Sequence, residues 1–363
     1  MSETPARTPL HALHVELGAR LVPFAGWEMP VQYTGIIEEH QAVRKAAGLF
    51  DVSHMGEARV RGRDAAAFLD RIMTNDMASI RPGMARYTVM CQPDGGCVDD
   101  LIVYRFSETE FLICLNASNA AKDIAWMRSL IGPFKVEVLD ECAAWAQLAL
   151  QGPLAERILG LATSLPLGTI KRFGFAVGEV AGASGCVVSR TGYTGSAGFE
   201  IYLPAASATQ VARTLLELGK PHGLVPAGLG ARDSLRLEAN YPLYGHEISE
   251  RISPIQAGLG WTVKFGKDEF VGREALRRQA EGGPASSVIL FSLDDRRIAR
   301  PGAPVYVGDI LVGEVLSGTH SPTLNKPIGT ALIAAGFAGS GELTVDIRGN
   351  RLPLRIAVEP FVK

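Results

Sequence analysis

Two adjacent acids, Asp99 and Asp100, begin an otherwise apolar run of residues that is typical of a β-strand. Successive side chains of a strand point to opposite faces, so Asp99 shares a face with Leu101, whereas Asp100 shares the other face with Tyr104. One carboxylate must therefore enter an apolar face, where its charge is costly unless another group pairs with it or the protein uses it for chemistry. A turn-bound structural aspartate and a catalytic acid both fit this pattern.

Two arginines and one glutamate further along the chain are the other candidates for chemistry. Arg232 and Arg236 are four residues apart on a predicted helix, so they face the same way and their like charges favour an anion between them. A surface helix explains these arginines equally well. Glu200 alternates with Phe199 and Ile201 in a predicted strand, so it lies on the face opposite their side chains, either in solvent or in a site.

Aromatic residues suggest a flat ligand, and the absence of several known motifs argues against some classes of cofactor. Tyr87, Tyr104 and Tyr193 could stack on a flat ligand, although aromatic residues in strands usually belong to the core. The sequence has no phosphate-binding glycine loop with its lysine, no dinucleotide fingerprint, no metalloprotease histidine pair and no serine hydrolase elbow. We therefore expect neither a nucleotide cofactor nor a metal. His54 follows a serine and an aspartate, but a core or loop histidine explains it better than a triad does.

A predicted hairpin positions the two acids. Pro93-Asp94-Gly95-Gly96 has strong turn chemistry, because proline presets its backbone angle and glycine accepts positive φ. The flanking residues 84–91 and 97–106, followed by residues 111–116, are rich in β-formers and predict a three-stranded meander. Helical patterns occur over residues 65–72, 119–130, 154–161, 205–218 and 231–239, and over residues 36–47, where Gly48 is expected to end the helix.

The order of these elements predicts the fold class. Alternating strands and helices indicate an α+β architecture in which helices cover one face of an antiparallel sheet. Residues 277–287 are charged and contain glycine, and the short strand-like runs after them indicate a small all-β barrel or sandwich. The predicted domains are therefore residues 1–276 and 288–363.

Composition indicates an ordinary globular protein. Among 363 residues, 36 basic side chains nearly balance 38 acidic ones, so no basic excess argues for nucleic acid. The five cysteines are odd in number and lack metal-ligand spacing, which predicts reduced thiols. Neither a secretory segment nor a membrane-length apolar run is evident, so we expect a cytoplasmic protein without a membrane partner.

Several of these segments match, in order and over nearly the whole chain, the motifs of one enzyme family. With them the chain resembles the aminomethyltransferase of the glycine cleavage system, the T-protein family. The matching segments are Phe24-Ala25-Gly26-Trp27, Phe50-Asp51-Val52-Ser53-His54-Met55, Asp99-Asp100-Leu101-Ile102-Val103, Ala149-Leu150-Gln151-Gly152-Pro153, Gly192-Tyr193-Thr194-Gly195 and Ala231-Arg232-Asp233-Ser234-Leu235-Arg236-Leu237-Glu238-Ala239.

The resemblance implies an architecture and an activity. The amino-terminal part would consist of two interleaved α+β lobes around a folate channel, followed by a carboxy-terminal β-barrel. The enzyme would transfer a methylene carbon from the aminomethyl-dihydrolipoyl arm of the H-protein to tetrahydrofolate, with release of ammonia and without a metal. Lipoylated H-protein and tetrahydrofolate would be its partners. A folate-dependent demethylase and a non-catalytic folate-binding protein remain alternatives, although Tyr244-Gly245-His246-Glu247-Ile248 fits the transferase pattern better.

The resemblance also implies roles for individual residues. Asp100 would be the catalytic carboxylate. The expected folate contacts are Asn116, Tyr193, Glu200 and Arg232, and the walls of the pterin pocket are Met55, Tyr87 and Leu101. One departure concerns Ser196-Ala197, which stands where the family usually has Glu-Asp. Because Glu200 is retained, we expect the folate site to survive this change.

Overall fold

Residues 4–362, the part of the chain that this computed structural model describes, contain eight α-helices and twenty β-strands. The helices are α1 (His11–Glu16), α2 (Ile36–Lys45), α3 (Ala65–Ile72), α4 (Ala120–Ser129), α5 (Ala155–Leu159), α6 (Ala208–Gly219), α7 (Leu229–Glu238) and α8 (Arg273–Gly282). None of these helices is long and apolar enough to cross a membrane.

The strands occur in the following order. They are β1 (Arg20–Phe24), β2 (Trp27–Gln32), β3 (Ala47–Asp51), β4 (Gly56–Arg61), β5 (Met84–Cys91), β6 (Cys97–Arg105), β7 (Glu110–Leu115), β8 (Glu137–Asp140), β9 (Trp145–Gln151), β10 (Phe175–Val180), β11 (Ala183–Ser189), β12 (Gly198–Pro204), β13 (Leu224–Pro226), β14 (Ser286–Ser292), β15 (Pro304–Val307), β16 (Ile310–Ser321), β17 (Lys326–Ala334), β18 (Leu343–Ile347), β19 (Asn350–Pro353) and β20 (Arg355–Ala357).

Four sheets are formed by these strands within residues 4–362. A two-stranded sheet joins β1 and β2, a six-stranded sheet has the order β10-β11-β12-β9-β3-β13, and a five-stranded sheet has the order β5-β6-β7-β4-β8. The seven-stranded sheet, with the order β19-β18-β15-β16-β17-β14-β20, lies entirely in the carboxy-terminal part. Strand β13 pairs with β3 in the parallel direction, whereas β3 pairs with β9 in the antiparallel direction. The predicted α+β class and the all-β carboxy-terminal part are therefore confirmed.

The hairpin that precedes the two acids is confirmed. The amide of Gln92 donates to the carbonyl of Gly96 at 2.8 Å, and the amide of Gly96 donates to the Asp94 carboxylate at 3.0 Å. Gly95 has a φ of +94°, a backbone conformation that favours glycine. Strands β5, β6 and β7 then lie side by side in chain order, as the predicted meander requires.

The predicted role of Gly48 is wrong. Helix α2 ends at Lys45, and Gly48 lies inside β3, where it pairs with Val225 on one side and Gln151 on the other. A Cβ atom on Gly48 would come within 2.5 Å of the Val43 side chain. This glycine therefore permits close packing of strand against helix and does not end the helix.

The chain folds into two compact units that alternate along the sequence. The first comprises residues 4–66, 80–86 and 102–232, and the second comprises residues 67–79, 87–101 and 233–362. The limits of 1–276 and 288–363 for separate domains stay a prediction.

The six-stranded sheet of the first unit has two different faces. One face packs against helices α1, α5 and α6 through a large apolar cluster that includes Leu148 and Ile201. The opposite face carries Tyr202, which packs with Tyr104 and Cys114 of the neighbouring sheet. Because residues of β9 and β12 alternate between these faces, a polar residue on the second face lies between two sheets.

Two apolar clusters stabilise the second unit. The seven-stranded sheet supplies most of the first cluster, in which Phe291, Val305 and Ile333 are buried. The second cluster contains Cys91 and Cys97, which flank the hairpin. All five cysteines are free thiols, and four of them are buried, as the sequence predicts.

Candidate active site

Glu200 is a buried carboxylate on the inner face of the first unit. Its neighbours on β12, Phe199 and Ile201, belong to the apolar cluster on the outer face, so strand alternation directs Glu200 inwards, where it is 6% exposed. Its Oε2 accepts a hydrogen bond from the Thr191 hydroxyl at 2.5 Å, and its Oε1 accepts one from the Gln147 amide at 3.3 Å. The alternative of solvent exposure is therefore wrong.

Burial has the largest effect on the charge of Glu200, and its pKa lies above the usual value. Burial raises the pKa of this carboxyl, while the Thr191 hydroxyl and the Arg232 cation oppose the rise. A carboxyl in this state binds well to a ligand that brings hydrogen-bond donors, because the donors stabilise the ionised form.

Arg232 lies in the first turn of α7 and stacks on Tyr193. The centre of its guanidinium is 4.5 Å from the centroid of the Tyr193 ring, within the range of a cation–π interaction. Burial lowers the pKa of Arg232, and Tyr193 and Glu200 oppose this shift. The group keeps its charge, because arginine starts from a very high pKa.

Gln151 holds the loop that carries Tyr193. Its Nε2 donates to the Thr191 carbonyl at 3.2 Å, and its Oε1 accepts from the Thr194 hydroxyl at 2.9 Å. A Cβ atom on Gly192 would come within 2.0 Å of the Gln151 Oε1, so a larger residue there would push the Gln151 amide away from its loop partners. The long, glycine-containing loop is therefore fixed on both sides of Tyr193.

Arg44 anchors the same loop further on. Its Nη1 donates to the Thr194 carbonyl at 2.6 Å and to the Ser196 hydroxyl at 2.8 Å. Ser196 is the first of the two residues that replace the expected acidic pair. The hydroxyl thus keeps a contact with Arg44 although no carboxylate is present.

His54, Met55 and Asn116 complete the candidate residues of the first unit. His54 is 4% exposed, and its Nδ1 has no hydrogen-bond partner. Burial and the nearby charge of Arg232 lower the pKa of His54 to about 4, so the imidazole is neutral at pH 7. Met55 is partly buried against the cluster that contains Tyr104, and Asn116 is partly buried just after β7.

Asp100 in the second unit accepts a hydrogen bond from Tyr87, which in turn stacks on Trp261. The Tyr87 hydroxyl donates to its Oδ2 at 2.9 Å, and the Tyr87 ring stacks on Trp261 with centroids 5.8 Å apart. Asp100 is partly exposed, whereas Asp99 has no exposed surface at all. Only Asp100 is therefore open to a reactant. Leu101, next in the strand, is buried.

Arg236 has a structural environment that differs from that of Arg232. Its side chain is 2% exposed and forms ion pairs with Asp233 and Glu247, each at 2.9 Å. It also donates to the Ser317 hydroxyl at 2.9 Å, which connects α7 to β16. The surface-helix interpretation is therefore wrong for Arg236. Its charge is already paired with Asp233 and Glu247, so it does not need an anion shared with Arg232.

Two polar residues at these sites were not singled out by sequence reasoning. They are Thr191 and Gln147, which both contact Glu200. Gln147 does leave a signal, since it is the only amide in the apolar run of residues 144–150. Tyr104, by contrast, is a fully buried core residue, as strand statistics suggest.

Comparisons with known proteins cover almost the entire chain. Residues 10–267 match the family model described as the GCVT N-terminal domain, and residues 287–363 match the glycine cleavage T-protein C-terminal barrel domain. The aminomethyltransferase of Anoxybacillus flavithermus is 50% identical over 361 residues, with 98% of each chain covered. That of Desulforamulus reducens is 49% identical over 358 residues, again with 98% of each covered.

A solved structure supports the same relationship. The crystal structure of glycine cleavage system aminomethyltransferase T from Bartonella henselae superposes with a TM-score of 0.93 at 33% identity. The alignment covers 99% of this chain and 98% of that one.

Proposed function

This chain belongs to the glycine cleavage T-protein family and is an aminomethyltransferase, and we propose that Asp100 is its catalytic carboxylate. We propose further that its substrates are tetrahydrofolate and the lipoylated H-protein of the glycine cleavage system. The observation that carries the assignment of Asp100 is its hydrogen bond from Tyr87 at a partly exposed position. Asp99, which is fully buried beside it, serves as the structural member of the pair.

The residues of the first unit fit a flat heterocycle with donor and acceptor edges. Glu200 offers a carboxylate to N–H groups, and Arg232 offers a planar fork of donors to ring nitrogens and carbonyl oxygens. Tyr193 adds an aromatic face under that fork. Glu200, Arg232, Tyr193 and Asn116 are therefore the proposed folate contacts, and Met55 is a proposed apolar wall.

Asp100 contributes charge and orientation. When bound, tetrahydrofolate supplies the nitrogen nucleophile that receives the one-carbon unit. The Asp100 carboxylate stabilises positive charge that develops during the transfer, and the Tyr87 hydroxyl fixes one of its oxygens. Tyr87 is the proposed wall next to this acid, and Leu101, buried on the opposite face of β6, is the other proposed wall of the pterin pocket. No metal enters the proposed chemistry.

The replacement of the acidic pair by Ser196-Ala197 leaves this proposal intact. Arg44 and Gln151 hold the loop through the backbone and hydroxyls, so Tyr193 keeps its place without the two carboxylates. The proposed setting is the cytoplasm, with neither a nucleic acid nor a membrane as partner.

Two measurements test the proposed substrates. Ammonia release from aminomethylated H-protein should require tetrahydrofolate. Calorimetric titration should show binding of tetrahydrofolate, and the bound ligand should raise the melting temperature, because it stabilises the folded state by about 2.7 kcal/mol at one hundred times its Kd. Absence of binding at millimolar tetrahydrofolate would refute the proposal. The Glu200→Gln variant should bind more weakly, which ties the signal to the proposed contacts.

A further inference from the structure

Gln147 is a buried amide that contacts Glu200 across two neighbouring strands. In the register of β9 and β12, Gln147 lies opposite Tyr202, and Glu200 lies opposite Ala149. Alternation places Gln147, Glu200 and Tyr202 on the same inner face of the sheet. From there the Nε2 of Gln147 donates to the Oε1 of Glu200 at 3.3 Å.

Cys114 fixes the direction in which this amide points. Its Sγ lies 3.6 Å from the Oε1 of Gln147 and donates to it. Burial raises the pKa of the Cys114 thiol well above its usual value, and the charges of Glu57 and Glu200 add to the rise, so the sulfur keeps its proton. The carbonyl oxygen of the amide accepts from the thiol, which leaves the NH₂ group on the side that faces Glu200.

The main chain of Gln147 is also held in place. Its amide N–H donates to the Ser53 hydroxyl at 3.1 Å, and its carbonyl accepts from the backbone amide of Val52 at 2.9 Å. The side chain therefore starts from a fixed backbone and ends in a fixed orientation.

We propose that Gln147 is a positioning residue for Glu200, and that the Cys114 thiol sets its orientation. This inference rests on the proposed role of Glu200 in binding folate. With Gln147 on Oε1 and Thr191 on Oε2, each carboxylate oxygen has one hydrogen bond and retains capacity for another. Two parallel N–H groups of a planar heterocycle are the donors that such an oriented carboxylate accepts best.

The pKa of the Glu200 carboxyl depends on the charged and titratable groups around it. The charged and titratable groups that face it are Arg232 from α7, Tyr104 from β6, Cys114 from β7 and Tyr202 from β12. Within this set Arg232 is the cation that favours the ionised carboxylate. Loss of the amide donor from Gln147 should therefore shift the carboxyl towards its protonated form.

The test is the Kd of tetrahydrofolate, measured by calorimetry over a pH series from acidic to mildly alkaline, because the pKa of the Glu200 carboxyl is raised above its usual value. Gln147→Met keeps the length of the side chain but removes the amide. We expect its Kd to rise about 10- to 100-fold, the effect of losing a hydrogen bond to a charged group. The weakening of binding at acidic pH should also begin at a higher pH than in the wild type. A purely structural role would lower the melting temperature without moving this pH profile.

Two cysteines provide a matched pair of variants. Cys114→Ala frees the amide and should weaken binding about 3- to 10-fold, and Cys114→Ser should restore it because a hydroxyl also donates. Cys186→Ala is the control, since this buried thiol donates to the backbone carbonyl of Ala183 on β11. It should leave the Kd unchanged. If Gln147→Met does not fold, the three cysteine variants decide the question.

Different failures are distinguishable. If the wild type does not bind tetrahydrofolate, the proposed function falls and this inference falls with it. If the wild type binds but Gln147→Met keeps its Kd within about twofold and the same pH profile, well below the loss of one charged hydrogen bond, only the inference is overturned. Equal losses in Cys114→Ala and Cys186→Ala would also overturn it.

Discussion

Replacement of Asp100 by asparagine should abolish most turnover and leave the fold intact. Asparagine has the same shape and keeps a carbonyl oxygen that can accept from the Tyr87 hydroxyl, so the hydrogen bond at 2.9 Å can persist. The loss of folding stability should stay near or below about 1 kcal/mol. What disappears is the negative charge that we propose acts on the transferred group.

The size of the catalytic loss follows from the role assigned to that charge. Removal of a positioned electrostatic or acid–base group lowers turnover by about two to four decades, which corresponds to about 3 to 5 kcal/mol of transition-state stabilisation. Asp99→Asn should behave differently, because Asp99 has no exposed surface and reaches no reactant. It should cost about 1 to 3 kcal/mol of stability, the range for a disturbed buried hydrogen bond, with near-native turnover of the folded fraction.

The assay is steady-state ammonia release with saturating aminomethylated H-protein and tetrahydrofolate, together with a melting curve for each variant. Tyr87→Phe is an informative control, since it removes the donor but keeps the charge, and its turnover should fall by only about tenfold. If Asp99→Asn is the inactive variant, or if both variants retain near-native turnover, the assignment of Asp100 is wrong.

Three further outcomes are expected. Arg232→Lys should weaken tetrahydrofolate binding by calorimetry, because lysine lacks the planar fork, whereas Arg236→Lys should mainly lower the melting temperature; equal, negligible effects would contradict both assignments. Glu247→Gln should destabilise the fold by about 3 kcal/mol in chemical denaturation, because it leaves the Arg236 cation buried without its main partner. Burial raises the pKa of the Asp51 carboxyl, but hydrogen bonds, of which that from His14 has the largest effect, outweigh burial and hold the pKa below the usual value. Its contribution to stability should therefore be complete above about pH 4 and disappear as the pH falls further, and Asp51→Asn should flatten that acid limb of a pH-dependent denaturation series.

Local sequence determined the secondary structure around the acids. The turn residues Pro93 and Gly95 dictate a hairpin whatever the rest of the chain does, because their backbone preferences act within a few residues. Alternation then separates Asp99 from Asp100 with certainty. The ordered motifs likewise indicate the family, and the comparisons confirm it.

Tertiary structure alone decided which polar side chains meet. Glu200 and Gln147 are 53 positions apart, and Arg236 and Ser317 are 81 apart, so no local pattern could pair them. Alternation permits Glu200 to face either solvent or another sheet, and only the packing of a second sheet on that face buries it. The same holds for the two arginines of α7. They lie on the same side of the helix, but this does not show that Arg236 pairs with Glu247, 11 residues further on, or that Arg232 stacks on Tyr193. Sequence fixes the direction of a side chain within its element, whereas the partner it meets depends on how distant elements pack.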